Sequence, residues 1–224
     1  MANNYDSIAG IYDILSRLVF GKVLQRSQVG LLKWMSPESR VLIVGGGTGW
    51  ILERIAADHP AGLDIVYVEA SAKMVALSRK RKSGENTVTF ICLPIEEYTF
   101  TGLFDIVLTP YLFDNFLPEE AAHIFNHLHR GLRPGGRWLF VDFCIDAKQP
   151  KLWQKLLLRV MYIFFRVTCG VRAKNVVDIT QHFKSAPYRL LQEKEYWSGF
   201  IKTYAYEKNA VAGNGFGYSK ATNA

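Results

Sequence analysis

Only three cysteines occur in 224 residues, Cys92, Cys144 and Cys169, and they lie too far apart for a metal or redox motif. A disulfide scaffold is excluded, and reduced, buried thiols in a cytoplasmic protein are expected. The chain has no N-terminal apolar run of leader type. No stretch reaches the roughly 18 uninterrupted apolar residues of a spanning helix, so membrane contact, if any, is expected to be peripheral. The five histidines are scattered. His123, His127 and His129 share a helical stretch without a matching carboxylate pattern, so no metal site is expected. Acidic residues are missing altogether between Pro150 and Arg172. The net charge of +7 would suit nucleic acid, but no nucleic-acid module or interleaved stacking motif accompanies it, and that partner is not expected. With 49% hydrophobic and 21% charged residues, the composition is that of one globular domain with a substantial core.

What is present centres on Arg40 to Leu52. Val41 to Val44 form a short apolar run suited to a strand buried on both faces. Gly45, Gly46 and Gly47 then remove every side chain where the chain must turn. Thr48 and Gly49 lead into Trp50, Ile51, Leu52 and Ile55, which fall at helical spacing. Such a strand, glycine turn and helix is either a plain tight turn or a nucleotide cradle with backbone N–H groups and a helix N-terminus facing a ligand. The next segment favours the cradle. Asp64 to Val68 read as a second buried strand ending on Glu69. An acidic residue about 20 positions past the glycines, at a strand end, can accept hydrogen bonds from both ribose hydroxyls. Ser71 then suits the N-cap of a helix running from Ala72 to Ser83, closed by Arg79 to Lys82 and Gly84.

The run Val-Leu-Ile-Val-Gly-Gly-Gly-Thr-Gly, the later Val-Glu-Ala-Ser-Ala-Lys-Met-Val, and Arg130 to Arg137 leading into Trp138 to Phe143 resemble motifs of class I S-adenosylmethionine-dependent methyltransferases. The opening Tyr5 to Asp13 resembles, more specifically, the ubiquinone and menaquinone C-methyltransferase branch. The resemblance spans about residues 5 to 208. It implies S-adenosylmethionine as cofactor and S-adenosylhomocysteine as product. The cofactor-binding residues it implies are Tyr12, Gly45, Gly46, Gly47, Gly49, Glu69, Ala70, Met74, Pro94, Ile95 and Thr109. Two positions depart from the family pattern. Ile43 stands where the first strand usually carries an acid, and Pro94 replaces the acid beside the adenine amino group. Backbone groups near Ile95, with Glu96 or Glu97, are the substitutes. A non-catalytic binding or scaffold protein on the same fold is therefore the alternative. A nicotinamide dehydrogenase is disfavoured by the Thr-Gly-Trp that follows the glycines.

Residues 5 to 35 are expected to form two helices across the cofactor mouth, part of a lid of about residues 1–36. Tyr12 either faces the cofactor or packs with Tyr5 at i, i+7 spacing. Further strands are expected over Thr87–Leu93, Phe104–Thr109 and Trp138–Phe143. Pro187–Glu195 and Phe200–Lys208 read as a hairpin around Trp197-Ser198-Gly199. Tyr111, Phe113 and Asp114 follow the fourth strand, where ligands sit in doubly wound sheets; loop packing is the competing reading. Asp114 and His182 are the candidate general bases.

From Pro150 to Arg172, basic residues interrupt a run rich in aromatics. This helix either roofs an apolar pocket, with Phe164 and Phe165 on the acceptor, or lies on an anionic membrane surface. The roof is favoured because many apolar residues with few charges suit burial. The expected architecture is an α/β three-layer sandwich, Rossmann-like, over residues 1–208. Its mostly parallel seven-stranded sheet ends in a C-terminal antiparallel hairpin, followed by a flexible tail over 209–224. The expected function is methyl transfer to a small aromatic or lipophilic acceptor of phenolic or quinone-like type. Oligomeric state is not readable.

Overall fold

A computed structural model describes residues 5–145 and 151–210. The expected tail thus lies, beyond Ala210, outside the described residues. A turn of 3-10 helix at Tyr5–Ser7 leads into α1 (Tyr12–Phe20) and α2 (Val23–Leu32). There follow β1 (Arg40–Val44), α3 (Trp50–Asp58), β2 (Ala61–Val68), α4 (Ala72–Ser78), β3 (Glu85–Ile91) and β4 (Phe104–Pro110). The chain continues through α5 (Pro118–Gly131), β5 (Leu132–Phe143), α6 (Leu152–Cys169), α7 (Thr180–Ser185), β6 (Tyr188–Tyr196) and β7 (Ile201–Lys208).

The seven strands form one sheet in the order β3-β2-β1-β4-β5-β7-β6. β1 to β5 pair in parallel, and β7 runs antiparallel to both its neighbours. The unbroken apolar runs are explained by two cores, one on each face. Val41, Ile43, Ile65, Tyr67, Leu139 and Val141 enter one core; Leu42, Val44, Val66, Val68, Trp138 and Phe140 enter the other. Alternation with period two therefore places successive residues in different cores, so both faces of these stretches are apolar.

Local signals set the ends of several elements. Pro118 opens α5, and the Glu120 carboxylate accepts from the Leu117 N–H at 3.0 Å. Ser71 caps α4, its hydroxyl accepting from the Met74 N–H at 3.1 Å. α4 nevertheless stops at Ser78, five residues short of the expected end. Arg81 is instead turned back, its Nε donating to the Thr48 carbonyl at 3.0 Å. β3 starts at Glu85, earlier than expected, because the Glu85 N–H donates to the Pro60 carbonyl at 2.7 Å. The β6–β7 turn forms through Trp197, Ser198 and Gly199, all at positive φ.

Candidate active site

The strand order reverses between β1 and β4, and a cavity of about 840 Å³ opens at the C-terminal ends of β1, β2 and β4. That volume suits a drug-sized ligand. Its floor is the glycine turn. Gly45 and Gly47 stand at φ of 69° and 61°, a region that costs an L side chain roughly 1–2 kcal/mol. A Cβ on Gly47 would meet nothing within 4 Å and would point into open space. A Cβ on Gly46 would run into the Tyr67 ring, whose hydroxyl donates to the Gly47 carbonyl at 2.9 Å.

Glu69 closes this floor. Its Oε2 accepts from the Gly47 N–H at 3.1 Å and its Oε1 from the Ser71 N–H at 3.0 Å. The carboxylate is thus fixed by the two backbone segments it joins, with lone pairs left toward the cavity. Burial raises its pKa, and these backbone donors pull it back part of the way. Ala70, Met74, Pro94 and Ile95 also line the cavity, together with Leu93 and Glu96.

The N-terminal segment forms the opposite wall. Tyr5 and Tyr12 both line the cavity and meet edge to face at 6.3 Å between ring centroids. Two aspartates that the sequence reading left without a role tie this segment down. Asp6 accepts from the Ser71 hydroxyl at 2.5 Å and the Lys73 N–H at 3.0 Å, at the start of α4. Asp13 accepts from the Thr48 hydroxyl at 2.7 Å and pairs with Arg81 at 2.7 Å. The repeated Tyr-Asp of the opening motif was the available signal: each tyrosine faces the cavity and each aspartate latches.

Behind the tyrosines lies a buried acid pair. Asp142, at the end of β5, accepts from the N–H groups of Phe113 at 3.0 Å and Phe143 at 2.8 Å. Burial raises its pKa, opposed by these donors. Burial and the neighbouring Asp142 raise that of Asp114 further. Asp114 has fewer backbone donors than Asp142 to hold an anion. Its Oδ1 accepts from the Asn115 side-chain amide at 2.7 Å, and the Tyr5 hydroxyl donates to Asn115 Oδ1. Tyr111, at φ 51°, lines the cavity with its hydroxyl 2.8 Å from Ser27 Oγ.

Other expected site residues stand elsewhere. Thr109 is fully buried, its hydroxyl accepting from the Trp138 indole N–H at 3.0 Å. Gly49 instead caps α3 at φ 77°, where any side chain would collide with Ser78. Asp114 does not reach the cavity wall; Asn115 stands between it and Tyr5. His182 is on α7, its ring 5.3 Å from that of Phe125 of α5, and it does not line the cavity. The two expected bases are therefore separated. Phe164 and Phe165 also miss the cavity; Phe165 packs on the lining residue Tyr5, at 5.7 Å between ring centroids. Phe113 is fully buried against Phe140 and Trp138. Ile43 is fully buried, so no carboxylate approaches from β1; the acid nearest the glycine turn on the lid side is Asp13.

A family model described as a methyltransferase domain matches residues 41–136. The ubiquinone/menaquinone biosynthesis C-methyltransferase of Geobacter sulfurreducens is 33% identical over 166 residues, covering 70% of this chain and 64% of that protein. Its counterpart in Geotalea uraniireducens is 30% identical over 168 residues, covering 72% and 67%. The match thus spans about two thirds of the length of these curated relatives. The same fold is found in the magnesium protoporphyrin IX methyltransferase of Synechocystis, solved with bound S-adenosylhomocysteine. There the TM-score is 0.65 at 16% identity, over 92% of this chain and 96% of that one. With its strand order and glycine turn, the chain belongs to the class I S-adenosylmethionine-dependent methyltransferase family. The two curated relatives above are both quinone-biosynthesis C-methyltransferases.

Proposed function

We propose that the chain transfers the methyl group of S-adenosylmethionine to a small, flat, lipophilic acceptor of phenol or quinol type. The observation that carries the cofactor assignment is Glu69, held by Gly47 and Ser71 with acceptor capacity directed at a side-chain-free floor. The residues fit the group. Glu69 would accept from the ribose hydroxyls, and the glycine backbone would lie along the cofactor's amino-acid end. Leu93, Pro94 and Ile95 would offer the adenine an apolar wall. When bound, the cofactor supplies a methyl group already activated by its sulfonium.

The protein's own work is then to align the acceptor and exclude water. Tyr5, Tyr12 and Tyr111 line the cavity beyond the glycine floor, and their rings suit a flat acceptor. Burial raises the pKa of all three, so they stay neutral and act as hydroxyl donors. Asp114 holds Tyr5 through Asn115 and is a positioning residue in this reading. A quinol-like acceptor is supported by the names of the curated relatives.

The test is incubation with S-adenosylmethionine and a panel of soluble phenols, catechols and hydroquinones, with methylated product followed by mass spectrometry. Product from at least one flat aromatic acceptor is expected. Saturable cofactor binding with no product from any of them would favour a non-catalytic binding protein, the reading that the absent acids at Ile43 and Pro94 support.

A further inference from the structure

Ten of the thirteen exposed large apolar side chains among the described residues lie on two elements. Ile11, Ile14, Leu18 and Val19 lie on α1 and its cap. Leu152, Trp153, Leu156, Val160, Ile163 and Val167 lie on α6. On α6 they recur every three or four residues, so they form one stripe along the helix. The opposite stripe, Gln154, Leu158, Tyr162 and Cys169, is buried against the body of the protein. Leu152 and Val167, near the two ends of α6, are 83% and 80% exposed.

The two helices are joined at both ends. Near the start of α1, the Ser7 hydroxyl donates to the Thr168 carbonyl at the end of α6, at 2.6 Å. At the other end, Phe20 of α1 meets Trp197 at 5.6 Å, and Trp197 meets Trp153 of α6 at 5.2 Å. The 3-10 turn and Trp197 thus bridge α1 to opposite ends of α6, so the two helices run in opposite directions, each with an exposed apolar side. An exposed apolar stripe of the length of α6 marks an interaction site.

Charge identifies the occupant. α6 carries Lys155, Arg159 and Arg166 and no acidic residue. Their spacing of four and seven places all three along one flank of the apolar stripe. Arg17 and Lys22 add positive charge at the end of α1, where both also line the cavity. A second copy of this chain would bring the same cationic row of α6 against itself; the acids nearest that row, Asp178, Glu193 and Glu195, lie across the cleft it borders. An apolar stripe beside a cationic row is the pattern of a helix lying in the plane of an anionic bilayer. The 18 residues of α6 would extend about 27 Å along that surface. No described helix is long and apolar enough to cross a membrane, which fits a surface position.

We propose that the exposed side of α6, with α1 bridged to it, docks the protein on an anionic lipid surface, with the apolar stripe in the headgroup–acyl boundary and the basic flank on the phosphates. The inner side of α1 lines the cavity through Tyr12 and Asp13. A docked molecule therefore presents its cavity wall next to the bilayer, where a lipophilic acceptor would reside. The docking is independent of whether methyl transfer occurs, because it is read as binding alone.

The test is co-sedimentation of the full chain with phosphatidylcholine vesicles, with and without phosphatidylglycerol. Thermal unfolding of each variant reports that the fold is retained. Binding to the anionic vesicles is expected, weak on phosphatidylcholine alone and falling as salt is raised. The triple replacement Lys155→Gln, Arg159→Gln, Arg166→Gln should weaken it by on the order of 100-fold, about fivefold per charge. The pair Leu156→Glu, Val160→Glu should abolish it with little change in the melting temperature. Lack of anionic-vesicle binding by the wild type would overturn the proposal, as would equal binding by folded variants. A wild-type dimer in solution that the Leu156→Glu, Val160→Glu pair converts to monomer would also overturn it, assigning the face to a second copy.

Discussion

The floor and the cover of the cavity are built by different means. The floor is backbone: the Gly45 N–H donates to the Val68 carbonyl at 2.9 Å, and Glu69 receives the Gly47 and Ser71 N–H groups. All of it comes from one βαβ stretch. The cover is held by side-chain contacts between segments far apart in the chain. Tyr5 bonds Asn115, Ser7 bonds the Thr168 carbonyl, and Phe20 packs on Trp197. The floor has one geometry that local chemistry imposes, whereas the cover depends on the entire sheet having formed. Changes in the floor should therefore strike ligand affinity, and changes in the cover should strike stability and turnover.

The largest effect is expected at Gly47. Gly47→Val places a branched side chain at positive φ in the cradle, and it should abolish S-adenosylmethionine binding in a protein that still shows a cooperative melt. Full binding by this variant would move the floor elsewhere. Glu69→Ala follows, with roughly 1.5–3 kcal/mol of binding lost as a pair of charge-assisted hydrogen bonds disappears. Tyr5→Phe belongs to the cover and should cost about 1 kcal/mol of stability while cofactor affinity stays within about twofold. A floor-sized loss of affinity in Tyr5→Phe, measured by titration calorimetry, would erase the distinction.

A pH experiment probes the cover from within. Burial raises the pKa values of Asp114 and Asp142 in the folded protein, and the two acids repel one another. The folded state then binds more protons than the unfolded state above the ordinary carboxylate range. Stability should consequently fall as pH rises from that range through the raised folded values. Asp114→Asn removes the repulsion and should raise the melting temperature more at pH 8 than at pH 5. A pH-independent difference would contradict the shared burial. The smallest effect is expected for Asp13→Asn. Its pair with the part-exposed Arg81 is worth at most about 1 kcal/mol, and the change should appear as faster proteolysis of the α1 segment.

The same contrast explains what the sequence disclosed. The floor was legible because its signals are contiguous: a buried strand, three glycines, a helix, then a second strand ending on an acid. The sheet was legible too, since strands sandwiched between two cores show as unbroken apolar runs. The hairpin was marked by Trp197, Ser198 and Gly199. The cover was not legible in detail. Asp114 follows β4 as a ligand residue should, yet the 3-10 turn at Phe113–Asn115 aims it toward Asp142. His182 sits on α7, a short helix with no strong start signal, and is taken up by Phe125. Arg81 was read as part of a solvated helix end, but its real partners, Asp13 and Thr48, lie 68 and 33 residues away. For α6, composition offered roof and membrane readings alike. The roof was favoured there; the exposure of its outer stripe is the ground on which a docking surface is proposed instead.

The central claim, that the glycine floor and Glu69 hold an S-adenosyl nucleoside, is tested most directly by calorimetry. Wild-type protein and the Glu69→Ala variant are titrated in parallel with S-adenosylmethionine, S-adenosylhomocysteine and NAD. The account predicts one-to-one saturable binding of the first two ligands to the wild type, with no NAD binding. It predicts roughly 10- to 150-fold weaker binding of the first two by Glu69→Ala, the equivalent of 1.5–3 kcal/mol. Equal affinities in wild type and variant, or wild-type binding of NAD in place of the S-adenosyl ligands, would contradict it.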